Sequence, residues 1–584
     1  MRPSTYLKPP GVHPSWSETP SRALVEADTR VAGFVGVTER GPVHTARRIS
    51  SWEEFLATYG YEEKHYLSAS VEGFFRNGGR ECFVVRAVHA PAAGQPVTEH
   101  HAARAERVIA DGWNKPRLRV GAASEGVWGN EVWVSFRHAT GPEALLTQDL
   151  ELGEVEAQVS STRGFEVGAL VRLYDRDSSD YVVLTEVGDR VIRWSVETPI
   201  SRRHRAASPT RIEILEVEVH VALRERREVF KHLQLSPRSP RYAPRVVAQQ
   251  STLVSLEDLG TSSPAPHSQV AAELPAQLSG GRDGTAQLTP DDLVGEDRGP
   301  GHRSGLMALA AEDEVGILAC PEAMVFLERH PGPEGELEAQ RVQDVMVDLC
   351  ENLRDRVAIL DGPPTHQIDR VLRWRRRTES SYAAYYWPWL GMPSRGESLR
   401  RLPPAGIMAG VYARCDTEVG VHQAPANVPV LGAVDLGVRV TEDDLGVLNQ
   451  EGINAFRIIR GIRPWGARTA SSDPDWRYIN VRRLFVMLRR SLEAGMAWAT
   501  FEPNNSRTWA AISDTTRDFL AGLHQRGMFA AATPEEAYFV KCDEETNPPE
   551  DVKSGLLTCW VGVAPAAPAE FITVSVVKRV EAEG

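Results

Sequence analysis

The stretch SSWEEFLATYG at residues 50–60 contains the signals for both the start and the end of a helix, and the segments around it can be assigned from this helix outward. A serine stands at the N-cap position, acidic residues occupy the first turn, and a glycine closes the segment. Outward from it, VAGFVGVTE (31–39) predicts a short apolar strand, YLSASVEGFFRNGG (66–79) a second helix and ECFVVRAV (81–88) a buried strand. This order of strand, helix, helix and strand predicts an α/β layer.

Between residues 117 and 230 the pattern changes to short alternating segments separated by Gly, Asp and Ser. Such alternation predicts a β-rich module. The α/β pattern resumes after residue 305, with strands predicted at 314–322 and 356–364 and an amphipathic helix at 336–354. The β-rich module therefore interrupts an α/β domain that is built from the flanking parts of the chain.

The end of the chain predicts two helices, at 484–500 and 508–527, followed by two strands, at 556–565 and 570–580. We predict an α/β (α+β) multi-domain fold: a discontinuous α/β core with an inserted β-rich domain and extended N- and C-terminal arms. The predicted bounds are 1–30 for the N-terminal arm, 31–95 and 236–465 for the core, 96–235 for the insertion, 466–569 for a C-terminal domain and 570–584 for the C-terminal arm.

Composition excludes several classes of protein. The chain has 584 residues, 42% hydrophobic and 25% charged, which is ordinary for a globular protein of two to four domains. The net charge of −13 argues against nucleic-acid binding, although the basic runs RRHR (202–205) and RWRRR (373–377) stand out. Isolated basic runs are usually solvated faces, and we expect that here.

The sequence also bears on targeting, on the state of the cysteines and on metal binding. The N-terminus has no apolar h-region and no stretch is long enough to span a membrane, so we expect no signal peptide and synthesis in the cytoplasm. The six cysteines lie at wide spacings without a CxxC pair, which predicts isolated thiols in a reducing compartment. His100 and His101 are adjacent but lack a carboxylate cluster, so we expect no metal site and no cofactor.

The segment GVYARCDTEVGVHQAPAN (410–427) gathers Cys415, Asp416, His422 and Asn427, the side-chain types of a cysteine protease. In papain-like enzymes these residues lie far apart in sequence and meet through folding, whereas here they are neighbours. A cysteine hydrolase built on Cys415 and His422 is therefore the alternative hypothesis. We favour an irregular loop whose polar side chains satisfy the backbone.

Other catalytic motifs are missing from the sequence. It contains no GxxxxGK[ST] phosphate loop, no HExxH and no GxSxG elbow. Asp361, after a predicted strand, stands where α/β active sites often lie. Since DGPP is also a good turn, we interpret Asp361 as part of a turn.

Several stretches in order resemble the contractile phage tail sheath family, which includes the sheaths of phage tails, phage-tail-like particles and extracellular contractile injection systems. The most specific are AGVYARCDTEVGVHQAPAN, at 409–427, and WGARTASSDPDWRYINVRRL, at 465–484. Others are GFFRNGGRECFVVR, RVAILDGPP and FEPNNSRTWAAISDTTRDFLAGL. The resemblance covers about 1–90 and 235–584, and the 100–230 module matches poorly, as is usual for a variable outer insertion.

The resemblance implies a structural protein rather than an enzyme. In the family, many identical subunits form a helical tube around an inner tube, in a metastable extended state that contracts after a baseplate signal. Implied partners are further copies of the chain, an inner tube protein, and baseplate and tail terminator or cap proteins, with no nucleic acid and no insertion into a membrane. The particle would be assembled in the bacterial cytoplasm and could then be released from the cell. The resemblance does not choose among phage tail, bacteriocin and injection system.

The family also implies which residues join subunits, because its chain ends add as strands to neighbouring copies. That role falls on the N-terminal arm and the C-terminal strand: Val12, His13, Trp16, Phe571, Ile572, Val574 and Val576. The alternative is that residues 570–580 form an edge strand of their own domain. Arg507, Arg517, Asp518 and Arg526, on and next to the helix predicted at 508–527, are the candidates for contact with the inner tube.

Overall fold

The computed structural model describes residues 23–91, 96, 98–176, 178–197, 199–260, 270, 275–393 and 399–568. The strands of this part of the chain are β1 (Ala32–Gly36), β2 (Arg47–Ile49), β3 (Cys82–Arg86), β4 (Glu106–Ala110), β5 (Pro116–Ala122), β6 (Trp133–Leu145), β7 (Glu156–Gln158), β8 (Leu170–Tyr174), β9 (Ser179–Val187), β10 (Val191–Trp194), β11 (Arg211–Leu223), β12 (Arg226–Leu233), β13 (Val254–Asp258), β14 (Ala276–Gln277), β15 (Ile317–Ala319), β16 (Val357–Asp361), β17 (Ala383–Trp387), β18 (Leu390–Pro393), β19 (Leu399–Leu402), β20 (Asp435–Leu436), β21 (Ile453–Ile458), β22 (Ile462–Pro464), β23 (Tyr538–Lys541) and β24 (Trp560–Val563).

The helices are α1 (Trp52–Tyr59), α2 (Leu67–Arg76), α3 (Ala243–Gln250), α4 (Pro290–Val294), α5 (Gly305–Ala310), α6 (Val325–Arg329), α7 (Pro333–Leu353), α8 (Ile368–Arg375), α9 (Ala405–Glu418), α10 (Glu442–Gln450), α11 (Ile479–Gly495), α12 (Ser506–Gln525), α13 (Pro534–Ala537) and α14 (Pro549–Lys553). Among the described residues, no helix combines the length and the apolar character needed to cross a membrane.

The chain divides into two units. The core unit comprises residues 30–414 and 425–472, and the C-terminal unit comprises residues 1–29, 415–424 and 473–584. Of the described residues, the C-terminal unit therefore takes in 23–29 and the last turn of α9 together with 473–568.

An eight-stranded sheet in the order β2-β3-β1-β15-β16-β17-β21-β22 forms the centre of the core unit. The strands from β3 to β21 are parallel, and one antiparallel strand lies at each edge. Every residue of β1, β3, β16 and β17 is buried, as expected for a parallel sheet covered on both faces. The predicted α/β fold is confirmed, and the sheet draws its strands from both sides of the insertion.

The helix predicted from the opening stretch is α1, and it begins and ends as its sequence indicates. The Ser51 side chain accepts a hydrogen bond from the Glu54 N–H at 3.1 Å and so satisfies one N–H of the first turn. At the other end Gly60 has φ +68°, a left-handed value that favours glycine.

The β-rich insertion lies in the core unit. Its main sheet runs β14-β6-β11-β8-β9-β10-β7, with β12 also paired to β11. The end of β6 hydrogen-bonds the end of β7, through Thr147 N to Gln158 O and Ser160 N to Leu145 O, both at 2.9 Å. Strands β6, β11, β8, β9, β10 and β7 therefore close into a ring around their own apolar core, which removes the exposed edges that a small open sheet would present.

The loop predicted at 410–427 is wrong in its first part, because residues 410–418 belong to helix α9. Two glycines of this helix, Gly406 and Gly410, let α9 approach α2 closely. A Cβ at Gly410 would lie 2.4 Å from Phe74 O, and one at Gly406 would lie 2.5 Å from Ser70 Cβ. Close helix packing, which is a tertiary effect, explains glycines that cost helix propensity.

Asp361 ends β16 and is 2% exposed, rather than lying in an open turn. Its Oδ1 accepts a hydrogen bond from the Ala405 N–H at 2.7 Å, so the carboxyl group caps the start of α9. Burial raises the pKa of Asp361 to about 8. The side chain is thus a structural cap within the core unit.

Six of the seven arginines in the two basic runs are exposed, as expected for solvated faces. In the second run Arg375 is 7% exposed and donates to the Thr378 carbonyl oxygen, while Arg376 pairs with Glu451 at 2.7 Å. In the first run His204 is fully buried, with its Nε2 2.9 Å from Asp180 Oδ2. The buried residues Arg375 and His204 therefore have structural roles inside the core unit, whereas the other arginines of the two runs face solvent.

Candidate assembly interface

A two-stranded antiparallel sheet made of β23 and β24 stands out in the C-terminal unit. Tyr538 pairs with Val563 and Lys541 pairs with Trp560 at its two ends. No third strand joins this sheet among the described residues. Since an isolated pair of strands is marginally stable, this sheet depends on what covers its face and edges.

The inner face of the sheet packs on the helices of the C-terminal unit. Val540 is 8% exposed and belongs to an apolar cluster with Leu484 of α11 and Leu520 of α12, against which Val561 and Val563 also pack. The outer face carries Phe539 and Trp560, which are 57% and 55% exposed.

The two outer edges of the sheet differ. The Arg517 side chain on α12 donates from Nη2 to the Val540 carbonyl oxygen at 3.1 Å. Next to the ladder, Ala564 N donates to Ala537 O at 2.8 Å. Because every second residue of an antiparallel strand hydrogen-bonds its partner, Phe539 and Lys541 also hydrogen-bond β24. The backbone N–H and C=O groups of Val540 therefore point away from β24. Arg517 therefore covers the outer edge of β23, whereas β24 has no strand on its outer edge among the described residues.

The described end of the N-terminal segment, residues 23–29, lies against α11 and α12. Ala27 N donates to Ser491 Oγ at 2.8 Å, and Glu26 pairs with Arg526 at 2.5 Å. Leu24 contacts α11 so closely that a Cβ at Gly495 would lie 1.9 Å from Leu24 Cδ2. The absence of a side chain at Gly495 thus makes room for this segment.

A buried ion pair fixes the end of the same segment. Arg483 of α11 meets both oxygens of Asp416 at 2.8 and 2.6 Å, and both side chains are at most 4% exposed. Asp416 Oδ2 also accepts from Thr29 Oγ1 at 2.9 Å, and Arg483 Nη2 donates to the Thr29 carbonyl oxygen at 3.2 Å. Parts of the chain that are far apart in sequence are joined here within one unit.

The geometry around Cys415 gives little support to the hydrolase hypothesis. Cys415 is 3% exposed and lies in the last turn of α9, the end at which a helix dipole disfavours a thiolate. Asp416 is engaged by Arg483 and Thr29. Burial, assisted by the charge of Arg526, lowers the pKa of His422. Asn427 belongs to the core unit, where its N–H donates to Pro464 O.

The His422 loop instead helps to position the chain that follows β24. The Asn480 side chain donates from Nδ2 to His422 O at 2.8 Å and to Ala566 O at 3.1 Å. Ala566 comes three residues after the end of β24. The last described part of the chain is therefore held on α11, close to the sheet.

The four helix candidates for tube contact are not equivalent. Arg507, Arg517 and Asp518 are on α12, and Arg526 follows it. Arg517 and Arg526 already contact Val540 and Glu26 inside the C-terminal unit. Arg507 and Asp518 are exposed on the helix surface. All four assignments stay predictions.

The strand-pairing residues predicted in the arms, Val12, His13, Trp16, Phe571, Ile572, Val574 and Val576, lie outside the described residues. Sequence reasoning predicted a strand at 556–565 but did not single out the outer edge of β24. The available signal was the alternation WVGV, with an exposed Trp560 on one face. In the described part of the chain, no cluster of three or more His, Cys, Asp or Glu side chains could hold a metal ion.

Comparison with known families matches two adjacent regions. Residues 333–470 match the family model described as phage tail sheath protein central domain, and residues 471–579 match phage tail sheath C-terminal domain. The boundary between the two regions lies within a few residues of Asp473, where the chain passes from the core unit to the C-terminal unit.

Three similar proteins illustrate the relationship. The tail sheath protein of Escherichia phage P2 is 25% identical over 294 residues, which cover 49% of this chain and 70% of that protein. The PVC sheath complex of an extracellular contractile injection system, in its contracted state, has a TM-score of 0.52 at 19% identity and 99% coverage of both chains. The helical sheath of the anti-feeding prophage, also contracted, has a TM-score of 0.50 at 19% identity, with 98% of this chain and 100% of that chain covered.

Proposed function

We propose that this chain, whose residues 333–579 match the phage tail sheath family models, is the subunit of a contractile sheath that polymerises helically around an inner tube. In this proposal the sheath is assembled extended and metastable, and its contraction drives the tube through a target envelope. The single observation that carries the assembly mechanism is the sheet of β23 and β24, which has one edge covered by Arg517 and no strand partner described at the other.

The outer edge of β24 is the docking site for an arm of a neighbouring copy. An incoming strand would hydrogen-bond the outward-pointing backbone groups of Val561 and Val563, which is strand addition. The incoming segments are residues 1–22 and 570–584 of other copies, which contain Val12, His13, Trp16, Phe571, Ile572, Val574 and Val576. An alternating edge strand without a partner would be an aggregation hazard, which favours this use.

Both chain ends start from the unit that carries the receiving edge. Residues 23–29 are held through Ala27 and Glu26, and the segment after β24 is held by Asn480 at Ala566. Each copy thus offers two arms and one edge at different places on one unit. Contacts of this head-to-tail kind do not close on themselves and generate a helical filament.

Contraction in this proposal draws on a free-energy difference between two lattices rather than on nucleotide hydrolysis. Strand addition keeps neighbouring subunits connected by backbone hydrogen bonds while their domains rotate. A modest free-energy difference for each subunit, summed over many coupled copies, makes the contraction effectively irreversible. The absence of a phosphate-loop motif from the sequence is consistent with this.

The partners are further copies of the chain, an inner tube protein, and baseplate and terminator proteins. The C-terminal domain, predicted at 466–569, would face the tube. Arg507 and Asp518 are the better-placed tube contacts, since Arg517 and Arg526 are engaged within the unit. Assembly in the bacterial cytoplasm and membership of a phage tail or phage-tail-like particle complete the proposal.

Negative-stain electron microscopy of the purified chain, alone and co-expressed with its tube protein, tests this function. Hollow tubes of uniform width with a helical repeat are expected in at least one of the two preparations. Small discrete particles in both would contradict the sheath proposal. A peptidase assay with a thiol-reactive probe serves as the parallel test of the hydrolase hypothesis, which the comparisons do not support.

A further inference from the structure

Two of the six cysteines meet across the sheet of β23 and β24. Cys542 follows β23 directly and Cys559 precedes β24 directly, so they are opposite each other one step beyond the Lys541–Trp560 pair. Cys542 belongs to an apolar cluster with Trp509 and Ile512, and Cys559 packs against the same cluster. All six cysteines are free thiols, as expected, but these two are neighbours.

The ladder places the two cysteines at a favourable position for a covalent bond. Lys541 and Trp560 are the last pair of the ladder and belong to the hydrogen-bonded set, so Cys542 and Cys559 stand where a pair of the alternate set would follow. Opposite Cα atoms in that set are about 4.5 Å apart and their side chains approach closely. A disulfide requires a Cα separation of about 4.4–6.8 Å.

The backbone around the pair is held in place from both sides. The Asn547 side chain donates from Nδ2 to Thr558 O at 2.9 Å and accepts from Thr558 N at 2.7 Å through Oδ1. The same Nδ2 is 3.9 Å from the Cys542 sulfur. Asn547 therefore fixes the backbone next to Cys559 and also lies beside Cys542.

We propose that Cys542 and Cys559 form a cross-strand disulfide when the chain meets a low-molecular-weight disulfide such as oxidised glutathione. The more exposed thiolate, Cys559, attacks one sulfur of glutathione disulfide and expels one glutathione thiolate. Cys542 then attacks the Cys559 sulfur of the mixed disulfide and expels the second. Two protein thiols and one glutathione disulfide become one protein disulfide and two glutathione thiols.

Access and acidity determine the rate of this reaction. Cys559 is half-buried, whereas Cys82, Cys320, Cys350 and Cys415 are at most 3% exposed. Burial raises the pKa of Cys559 to about 12 and also raises the pKa of Cys542. The bond should therefore form slowly at neutral pH and faster as the pH rises, because the thiolate is the nucleophile.

The consequence of this bond rests on the proposed function. The disulfide would join β23 covalently to β24, the strand whose outer edge receives the arm of a neighbour in the proposed function. The sheet of an assembled sheath would therefore become covalently cross-linked in an oxidising environment. Because the disulfide closes a loop between residues 542 and 559, it also lowers the conformational entropy of the unfolded chain.

The test is peptide mapping of the purified full chain after incubation with oxidised glutathione near pH 8.5, with remaining thiols alkylated. We expect the Cys542–Cys559 cross-linked peptide, lacking two hydrogen atoms, to exceed any other pairing by about tenfold. Alkylation of both residues after oxidation, stable glutathione adducts on either, or a preference for another cysteine would overturn the inference.

Matched variants separate this inference from the proposed function. Cys559→Ser should abolish the cross-link, whereas Cys415→Ser, which also removes a thiol from the C-terminal unit, should leave it unchanged. Cross-linking that persists in the Cys559→Ser chain through Cys542 and another cysteine would contradict the assignment. Tube formation by reduced protein is scored separately by microscopy, so failure of the disulfide and failure of the sheath proposal give different results.

Discussion

Arg483 and Asp416 form a two-pronged ion pair that is almost completely buried in the C-terminal unit, with N–O distances of 2.8 and 2.6 Å. Each also binds Thr29, the last residue of the N-terminal segment in this unit. The segment around Cys415 that suggested a protease therefore serves to hold the base of the N-terminal arm.

Replacing Arg483 by Met should destabilise the C-terminal unit by about 3–5 kcal/mol, because it leaves the Asp416 carboxylate buried without its cation. Hydrogen exchange at the amides of α11 measures the effect. Arg489→Ala is the matched control on the same helix, since Arg489 pairs with Glu493 at the surface and its loss should cost less than about 0.5 kcal/mol. Equal effects of the two substitutions would contradict the account.

Asp361 should make the stability of the core unit fall with rising pH. Its folded pKa, about 8, lies above its ordinary value of 3.8. Between these values the folded state retains a proton that the unfolded state has lost, so this contribution declines as pH rises from 4 to 8 and levels off above that. Urea unfolding at several pH values measures the slope.

Asp361→Asn should flatten that slope and stabilise the core unit at pH 8 by at least about 1 kcal/mol, because the amide oxygen still accepts from Ala405 N without a buried charge. Asp361→Leu, of similar size, leaves the Ala405 N–H unsatisfied and should cost about 1–3 kcal/mol. Loss of stability in the Asn variant at pH 8 would show that the buried carboxylate itself is required.

Deleting residues 570–584 should abolish tubes while the monomer keeps its fold, because the deletion removes an arm and leaves β24 intact. Circular dichroism checks the fold and electron microscopy checks assembly. Lys553→Ala, on the short helix α14, is a control that should assemble normally. Tubes of normal length from the truncated chain would contradict a role for the C-terminal arm.

Charge reversal at Arg507 or Asp518 should weaken binding of the inner tube, and the loss should be greatest at low salt, where exposed charges are least screened. Co-sedimentation of assembled sheath with tube protein measures this. Reversal at Asp514, another exposed acid of α12, is the control. Unchanged binding in both variants would show that the contact with the inner tube does not lie on α12.

The sequence predicts the elements whose signals are local. Helix α1 carries its own N-cap in Ser51, and the buried strands β1, β3 and β16 are apolar except for Arg86 and Asp361 at the ends of β3 and β16. These features depend on neighbouring residues, so pattern alone recovers them.

The features that pattern reasoning missed depend on contacts between distant residues. Gly410 of α9 is explained only once Phe74 is known to lie beside it. Asp416 acquires its role from Arg483, and Cys542 acquires a partner in Cys559, through tertiary structure that spacing does not reveal. The receiving edge of β24 is likewise defined by what Arg517 covers on the other strand.

The most direct test of the central claim, strand addition at β24, is photo-cross-linking from its exposed face. Trp560 is replaced by benzoylphenylalanine, and tubes are assembled from equal amounts of ¹⁴N- and ¹⁵N-labelled chains. The account predicts mixed-label cross-links from position 560 to peptides within residues 1–22 or 570–584 of another copy. Cross-links confined to single chains, or leading to other regions of the neighbour, would contradict it.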